Sequence, residues 1–251
     1  LFTLFGGNLH GGRTLGDRLL QAAANFTTLA YLVQGELAAD PALKGLVDPS
    51  EVHYIGGSQG GIMGATITAM APNLRRGVLV VGGSNYSLMV WRSVAFAPID
   101  EVWTLSQPDV QDREFLFALL QSSFDLADPV TYAPQIAAAG DQLLLIESIG
   151  DMLVPNVATE TMARSYGMLM AAPSVYPVWG IEDAPADFTG SALLQVDTQM
   201  GPHPPKENIP PTDDNGAHGS AVDGPAVQAI VQAFLLDGVV NNTCEGPCDP
   251  E

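Results

Sequence analysis

The stretch Val52-His53-Tyr54-Ile55-Gly56-Gly57-Ser58-Gln59-Gly60-Gly61, continuing from Ile62 to Met70, decides how the chain is read. Val52 to Ile55 is a β-branched and aromatic run of strand length. Ile62 to Met70 reads as a helix, which Pro72 ends. Between them, Gly56-x-Ser58-x-Gly60 fits a turn so sharp that the serine hydroxyl stands clear of the backbone. Side chains at Gly56 and Gly60 are expected to collide with the neighbouring strand and helix. In a chain with 26 glycines the five-residue pattern alone is weak, and the strand before it and helix after it give it weight. Gly82-Gly83-Ser84-Asn85 repeats only its first half.

Outward from this turn, Gly77 to Gly82 is a continuous apolar run, as in a parallel strand covered on both faces, and completes a strand-helix-strand unit. Upstream, Leu1 to Phe5 reads as a short strand entering a glycine-rich loop, Gly6 to Gly12, and Asp17 opens a long helix. Its Leu19, Leu20, Ala23, Phe26, Thr27, Ala30 and Leu37 fall on one face. Pro41 and Asp48-Pro49-Ser50 separate that helix from Val52. Downstream, Ser84 to Gly140 is rich in aromatic residues and methionine, reads as helical over Asp109 to Phe124, and contains no evident strand. Gln142 to Glu147 then reads as a strand, Asn156 to Tyr166 as a helix and Ala192 to Val196 as the last strand. A proline-rich loop, Gly201 to Pro211, leads to His218, and Val222 to Leu236 closes as an amphipathic helix. The expected architecture is α/β: a mostly parallel sheet flanked by helices over residues 1–83 and 141–240. A helical cap is inserted at 84–140, and a polar tail covers 241–251.

Composition narrows the function. Nine Lys and Arg face 28 Asp and Glu, a net charge of −19 that repels phosphate. Nucleic acid and anionic membrane are poor partners. No apolar run approaches the roughly 20 residues that cross a bilayer, so no membrane span is expected. Cys244 and Cys248 lie in the polar tail, where a short-loop disulfide would imply an oxidising compartment, secreted or periplasmic. Closing so short a loop restricts the unfolded chain little. Two thiols without a nearby histidine make a poor zinc site, and nothing else in the sequence asks for a cofactor.

A serine held on such a turn needs an imidazole to take its proton and a carboxylate to orient the imidazole. The chain has four histidines. His53 lies inside the strand before Ser58, His10 precedes the nucleophile, and His203 sits between prolines. His218 stands in Asn215-Gly216-Ala217-His218-Gly219-Ser220, ahead of the final helix. From Val52 to about Leu236 the chain resembles the α/β-hydrolase superfamily, particularly its bacterial serine esterases and lipases. That family orders its triad as serine, acid, histidine, with the acid in the turn after the strand that follows any cap. The resemblance implies Ser58, Asp151 and His218 as catalytic residues. Asp151 follows the strand in Glu147-Ser148-Ile149-Gly150-Asp151-Met152-Leu153-Val154-Pro155, and Glu147, Asp125 and Asp128 are its competitors.

The family's oxyanion donor after the nucleophile falls on the backbone of Gln59. A second donor comes from an upstream loop, for which Gly11 and Gly12 in Gly6-Gly7-Asn8-Leu9-His10-Gly11-Gly12 are the candidates. Against the resemblance, much of the usual first half is missing, since the residues ahead of Ser58 leave room for one strand, a loop and one helix. The implied activity is hydrolysis of a small-molecule carboxylic ester with an apolar acyl or aryl group, through an acyl-enzyme. The same fold also hosts peptidases and acyltransferases, and the shortened first half is compatible with a catalytically inactive binding domain.

Overall fold

The computed structural model describes residues 11–201 and 211–249. The strand expected at Leu1 to Phe5, and the histidines His10 and His203, lie outside the described residues. In chain order the main elements are α1 (Gly11–Gln34), β1 (Val52–Gly57), α2 (Gln59–Met70), β2 (Leu74–Val80), α3 (Tyr86–Val90), α4 (Ala97–Ser106), α5 (Val110–Phe124), α6 (Ala133–Ala139) and β3 (Gln142–Ser148). They continue with α7 (Asn156–Ser165), β4 (Leu169–Met170), β5 (Phe188–Thr189), β6 (Ala192–Val196), α8 (Ala217–Ser220), α9 (Pro225–Asp237) and β7 (Val239–Val240).

Five strands form one sheet in the order β1-β2-β3-β6-β4, and every neighbouring pair is parallel. The fold is α/β. The continuous apolar runs follow from coverage on both faces. On one, Leu79, Leu143, Leu145 and Leu193 pack against Ala65 of α2, Ile136 of α6 and Met162 of α7. On the other, Val78, Val80, Leu144, Ile146 and Leu194 meet Val227, Ile230 and Phe234 of α9. Fully burying each large apolar side chain contributes about 1.5–3 kcal/mol, so these two layers fix the sheet. β6 inserts between β3 and β4, although it follows both in sequence. The two-residue strands β4, β5 and β7 escape a reading by periodicity, because alternation needs more residues to register.

The long helix keeps the centre of its expected face, Ala23 and Ala30 with Leu19 packed beside them, and loses its margins. Gly16, Ala23 and Ala30 are its buried positions, a seam of small residues against α2 and α5, whereas Phe26 and Leu37 are exposed. Among the described residues β1 is the edge strand, and no further strand lies beneath the wider apolar stripe. The stretch expected as one cap also divides. From α3 to α5, Tyr86, Met89, Trp91, Trp103, Phe117 and Phe124 form a cluster with Ile62 and Val154. By contrast α6 packs on the sheet beside α2 as an ordinary crossover helix.

The tail is not a free polar end. Cys244 and Cys248 are disulfide-bonded, and Cys248 is fully buried against the core. Its carbonyl accepts from the Asp197 N–H at 2.8 Å, and Asn242 Nδ2 donates to the Ala171 and Pro173 carbonyls. Backbone bridging to Val196 draws this segment in.

Candidate active site

β1 runs into α2 through Ser58, whose φ of 56° and ψ of −119° fall where a residue with a Cβ is strained. Such strain costs on the order of 1–3 kcal/mol and persists only where the surroundings over-determine it. Here the Ser58 N–H donates to the Val80 carbonyl at 3.0 Å, and the Ser58 carbonyl accepts from Ile62 N–H at 2.9 Å. A Cβ at Gly56 would stand 2.4 Å from Tyr54 Oη and 2.7 Å from the Gly60 carbonyl oxygen. At Gly60 the nearest atom would be 3.4 Å away, an ordinary contact, so the collision expected there does not occur. The crowded helix position is Gly61, where a Cβ would meet the Val80 carbonyl oxygen at 2.4 Å, because α2 leans on the end of β2 one residue later.

Asp151 lies in the turn after β3 and is almost fully buried. Its Oδ1 accepts from the N–H groups of Leu153 at 2.7 Å and Val154 at 2.9 Å. Oδ2 lies 2.7 Å from His218 Nδ1, in the short helix α8. With Nδ1 donating to this carboxylate, Nε2 is left as the proton acceptor. Two polar side chains tie the Asp151 turn to the histidine loop, and a third, Asn156, braces the turn itself. Ser148 Oγ donates to the Ala217 carbonyl at 2.7 Å, and Asn215 Nδ2 to the Gly150 carbonyl at 3.0 Å. Asn156 accepts from Gly150 N–H at 2.8 Å and donates to the Ser148 carbonyl at 2.7 Å. These pins were not singled out from the sequence, since their partners are main-chain groups that leave no residue pattern.

Ser58 and Gln59 share one pocket with Leu153 and Val154, the pair that cradles Asp151. The cavity measures about 150 Å³ and is also lined by Ile62, Tyr86, Met89, Ser93, Ala95 and Phe96. Trp91, Trp103 and Phe117, also in the aromatic stretch, stack on one another instead, with ring centroids 4.9 and 4.6 Å from Phe117. Among the described residues no hydrogen bond joins Ser58 Oγ to His218, so the acid and imidazole meet while the hydroxyl stands apart.

Gln59 opens α2, so its N–H has no partner within the helix and is free to donate. Its side chain donates to Tyr86 Oη at 2.7 Å. Burial pushes the Tyr86 phenol above its ordinary range, keeping it protonated. Gly11 and Gly12 form the start of α1, which begins ahead of the expected Asp17, and no described hydrogen bond ties them to the elbow.

The competing residues are occupied elsewhere. Asp128 is buried and accepts from four N–H groups, of Asn85, Tyr86, Val130 and the Gln121 side chain. Asp125 accepts from Gln121, and His53 pairs with Glu51. Glu147 is fully buried beneath α7, where burial and the nearby Glu160 push its carboxyl up to about 8, against the hydrogen bond from Gln195. A group held neutral at pH 7 is a poor counter-charge for an imidazolium. Among the described residues no three His, Cys, Asp or Glu side chains are grouped to hold a metal ion, and no helix is long and apolar enough to cross a membrane. In comparisons with known proteins, the chain matches no family model and no curated protein.

Proposed function

We propose that the protein is a serine hydrolase that cleaves carboxylic esters through an acyl-enzyme intermediate, with Ser58, Asp151 and His218 as its catalytic residues. The observation that carries this reading is the 2.7 Å Asp151–His218 pair beside an apolar pocket on which the strained Ser58 also opens. His218 Nε2 takes the hydroxyl proton as Ser58 Oγ attacks the ester carbonyl, and Asp151 stabilises the imidazolium that forms. The Gln59 N–H stabilises the tetrahedral oxyanion. Collapse of that intermediate returns the proton from His218 to the departing alcohol, and water repeats the sequence on the acyl-enzyme. The disulfide between Cys244 and Cys248 supports an oxidising compartment, secreted or periplasmic.

A second reading is a hydrolase-like binding domain without turnover, favoured by the missing hydrogen bond between Ser58 and His218. Catalytic hydrogen bonds often tighten only with substrate bound, which supports the first reading over the second. Intact-mass analysis after treatment with a fluorophosphonate separates them. One adduct on Ser58, absent from Ser58→Ala, is the result expected of the hydrolase. Folded protein that never labels and hydrolyses no activated ester overturns it.

A further inference from the structure

We propose that this site accepts esters whose acyl group is uncharged and no larger than about a benzene ring, and that Tyr86 is the wall that sets the limit. The inference rests on the hydrolase reading. It begins with orientation, because His218 must hand its proton to the leaving alcohol, which therefore lies on the His218 side of Ser58. The pocket is lined by Ser58 and Gln59 but not by His218, so it takes the other substituent of the carbonyl, the acyl group.

Chemistry and size follow from the lining. Ile62, Met89, Phe96, Leu153 and Val154 are apolar, and among the described residues no charged side chain lines the cavity. Apart from the Ser58 hydroxyl and the Gln59 N–H, which the reaction uses, its polar side chains are engaged with one another or with the backbone: Gln59 with Tyr86, Tyr86 Oη with Met63 Sδ, and Ser93 Oγ with Ala95 N–H. A carboxylate or ammonium on the acyl chain would lose its water and meet no opposite charge in the lining. The volume, about 150 Å³, is that of a dry protein cavity known to hold benzene.

The wall does not yield easily. Tyr86 N–H donates to Asp128 Oδ2 at 2.9 Å, and its neighbour Asn85 N–H to Oδ1 at 3.2 Å. Asp128 is fully buried and among the described residues makes no ion pair, so these donors, with Val130 N–H and the Gln121 side chain, are what stabilise it. The Tyr86 ring packs on Phe124 at 5.3 Å, and its hydroxyl is held from two sides. Moving the Tyr86 backbone to make room for a longer chain would cost a buried carboxylate two of its four donors.

The test holds the alcohol constant and varies the acyl group: p-nitrophenyl acetate, butyrate, benzoate and octanoate, compared by kcat/KM. Butyrate and benzoate should lead, with octanoate at least about 100-fold lower, the order that a misfit of several methylenes produces. Tyr86→Ala should raise the octanoate-to-butyrate ratio at least tenfold, while Tyr86→Phe keeps the ring and the wild-type ratio. Phe96→Ala, on the partly exposed turn Val94–Phe96, replaces Tyr86→Ala if that variant does not fold. Wild-type protein that labels on Ser58 yet prefers octanoate overturns the size limit alone. A ratio unmoved by either alanine variant overturns the wall. No labelling and no ester hydrolysis overturn the hydrolase reading, and this inference with it.

Discussion

The two halves of the site are built differently. Asp151 and His218 hang from β3 and β6, interior strands of the sheet; three side-chain hydrogen bonds tie their loops together and two more, from Asn156, brace the turn that carries Asp151. Ser58 ends β1, an edge strand that among the described residues pairs only with β2 and leaves Ile55 exposed on its surface. Its conformation is fixed by two backbone hydrogen bonds and by crowded glycines, not by any side-chain partner. On the proposed hydrolase reading, the acid and imidazole are therefore positioned before substrate arrives, whereas the hydroxyl is aimed but not engaged. Substrate binding has least to do on the His218 side and most on the Ser58 side.

The largest effects should come from the reacting groups. Ser58→Ala should lower kcat on an activated ester by about four orders of magnitude or more, and Asp151→Asn by about three to four. Circular dichroism must show both folded. Glu147→Gln, one turn away, should leave kcat within about threefold. If Asp151→Asn kept normal turnover, the pre-formed pair would be a structural clasp and the contrast between the halves would lose its meaning.

Glu147 supplies the next effect, through stability. Its folded pKa of about 8 lies above the ordinary value of 4.5. The sign follows: its contribution is fully present below pH 4.5 and is lost as pH rises through about 8. Glu147→Gln removes that loss. An amide also suits the site, since Gln195 needs an acceptor and the other carboxyl oxygen, Oε1, has no partner. The variant should be more stable than wild type by roughly 2–4 kcal/mol at pH 8.5, with the gain fading toward pH 5. Urea melts at the two pH values measure it, and an equal shift at both would mean that Glu147 is already ionised.

The legible parts of this molecule are those whose residues act through local pattern. β2 and β3 show themselves because coverage on both faces demands uninterrupted apolar runs, and the α/β class follows from their spacing. The elbow shows itself because its backbone demands Gly56. Asp151 and His218 can be chosen by their order along the chain, yet the 2.7 Å between them is a property of the folded sheet. Ser148 and Asn215 are illegible for a physical reason: each reaches a carbonyl more than sixty residues away, and any residue offers a carbonyl. Phe26, half exposed and meeting Tyr54 only edge-on, shows that periodicity reports which residues share a helix face, not how fully a neighbour covers them.

Asn215→Ala tests those pins. It removes the donor to the Gly150 carbonyl, so the turn bearing Asp151 loses one tie to the histidine loop. A displacement below 1 Å should suffice to reduce kcat about 10- to 100-fold with KM little changed. A fall in thermal stability with kcat untouched would mean that the remaining ties position His218 unaided.

The smallest effect should come from the Cys244–Cys248 clasp, on the well-fastened side but away from the reacting groups. By chain entropy alone, opening a loop this short costs about 2 kcal/mol. Here Cys248 is also fully buried, and its carbonyl accepts from Asp197 N–H, at the end of the strand that leads toward the His218 loop. Position 248 is fully buried, so although Asn242 Oδ1, 3.2 Å from Sγ, offers a serine hydroxyl an acceptor, the smaller side chain loses packing there that it does not lose at the half-buried position 244. Cys244→Ser should therefore lower Tm by roughly 4–8 °C, and Cys248→Ser by more. At 25 °C both should keep kcat/KM within about twofold, because the pins around Asp151 do not run through the tail. Reduction of the wild-type disulfide should reproduce the Cys244→Ser melt. A tenfold loss of kcat with Tm unchanged would mean that the clasp steers the histidine loop, and that the support of this half extends to the end of the chain.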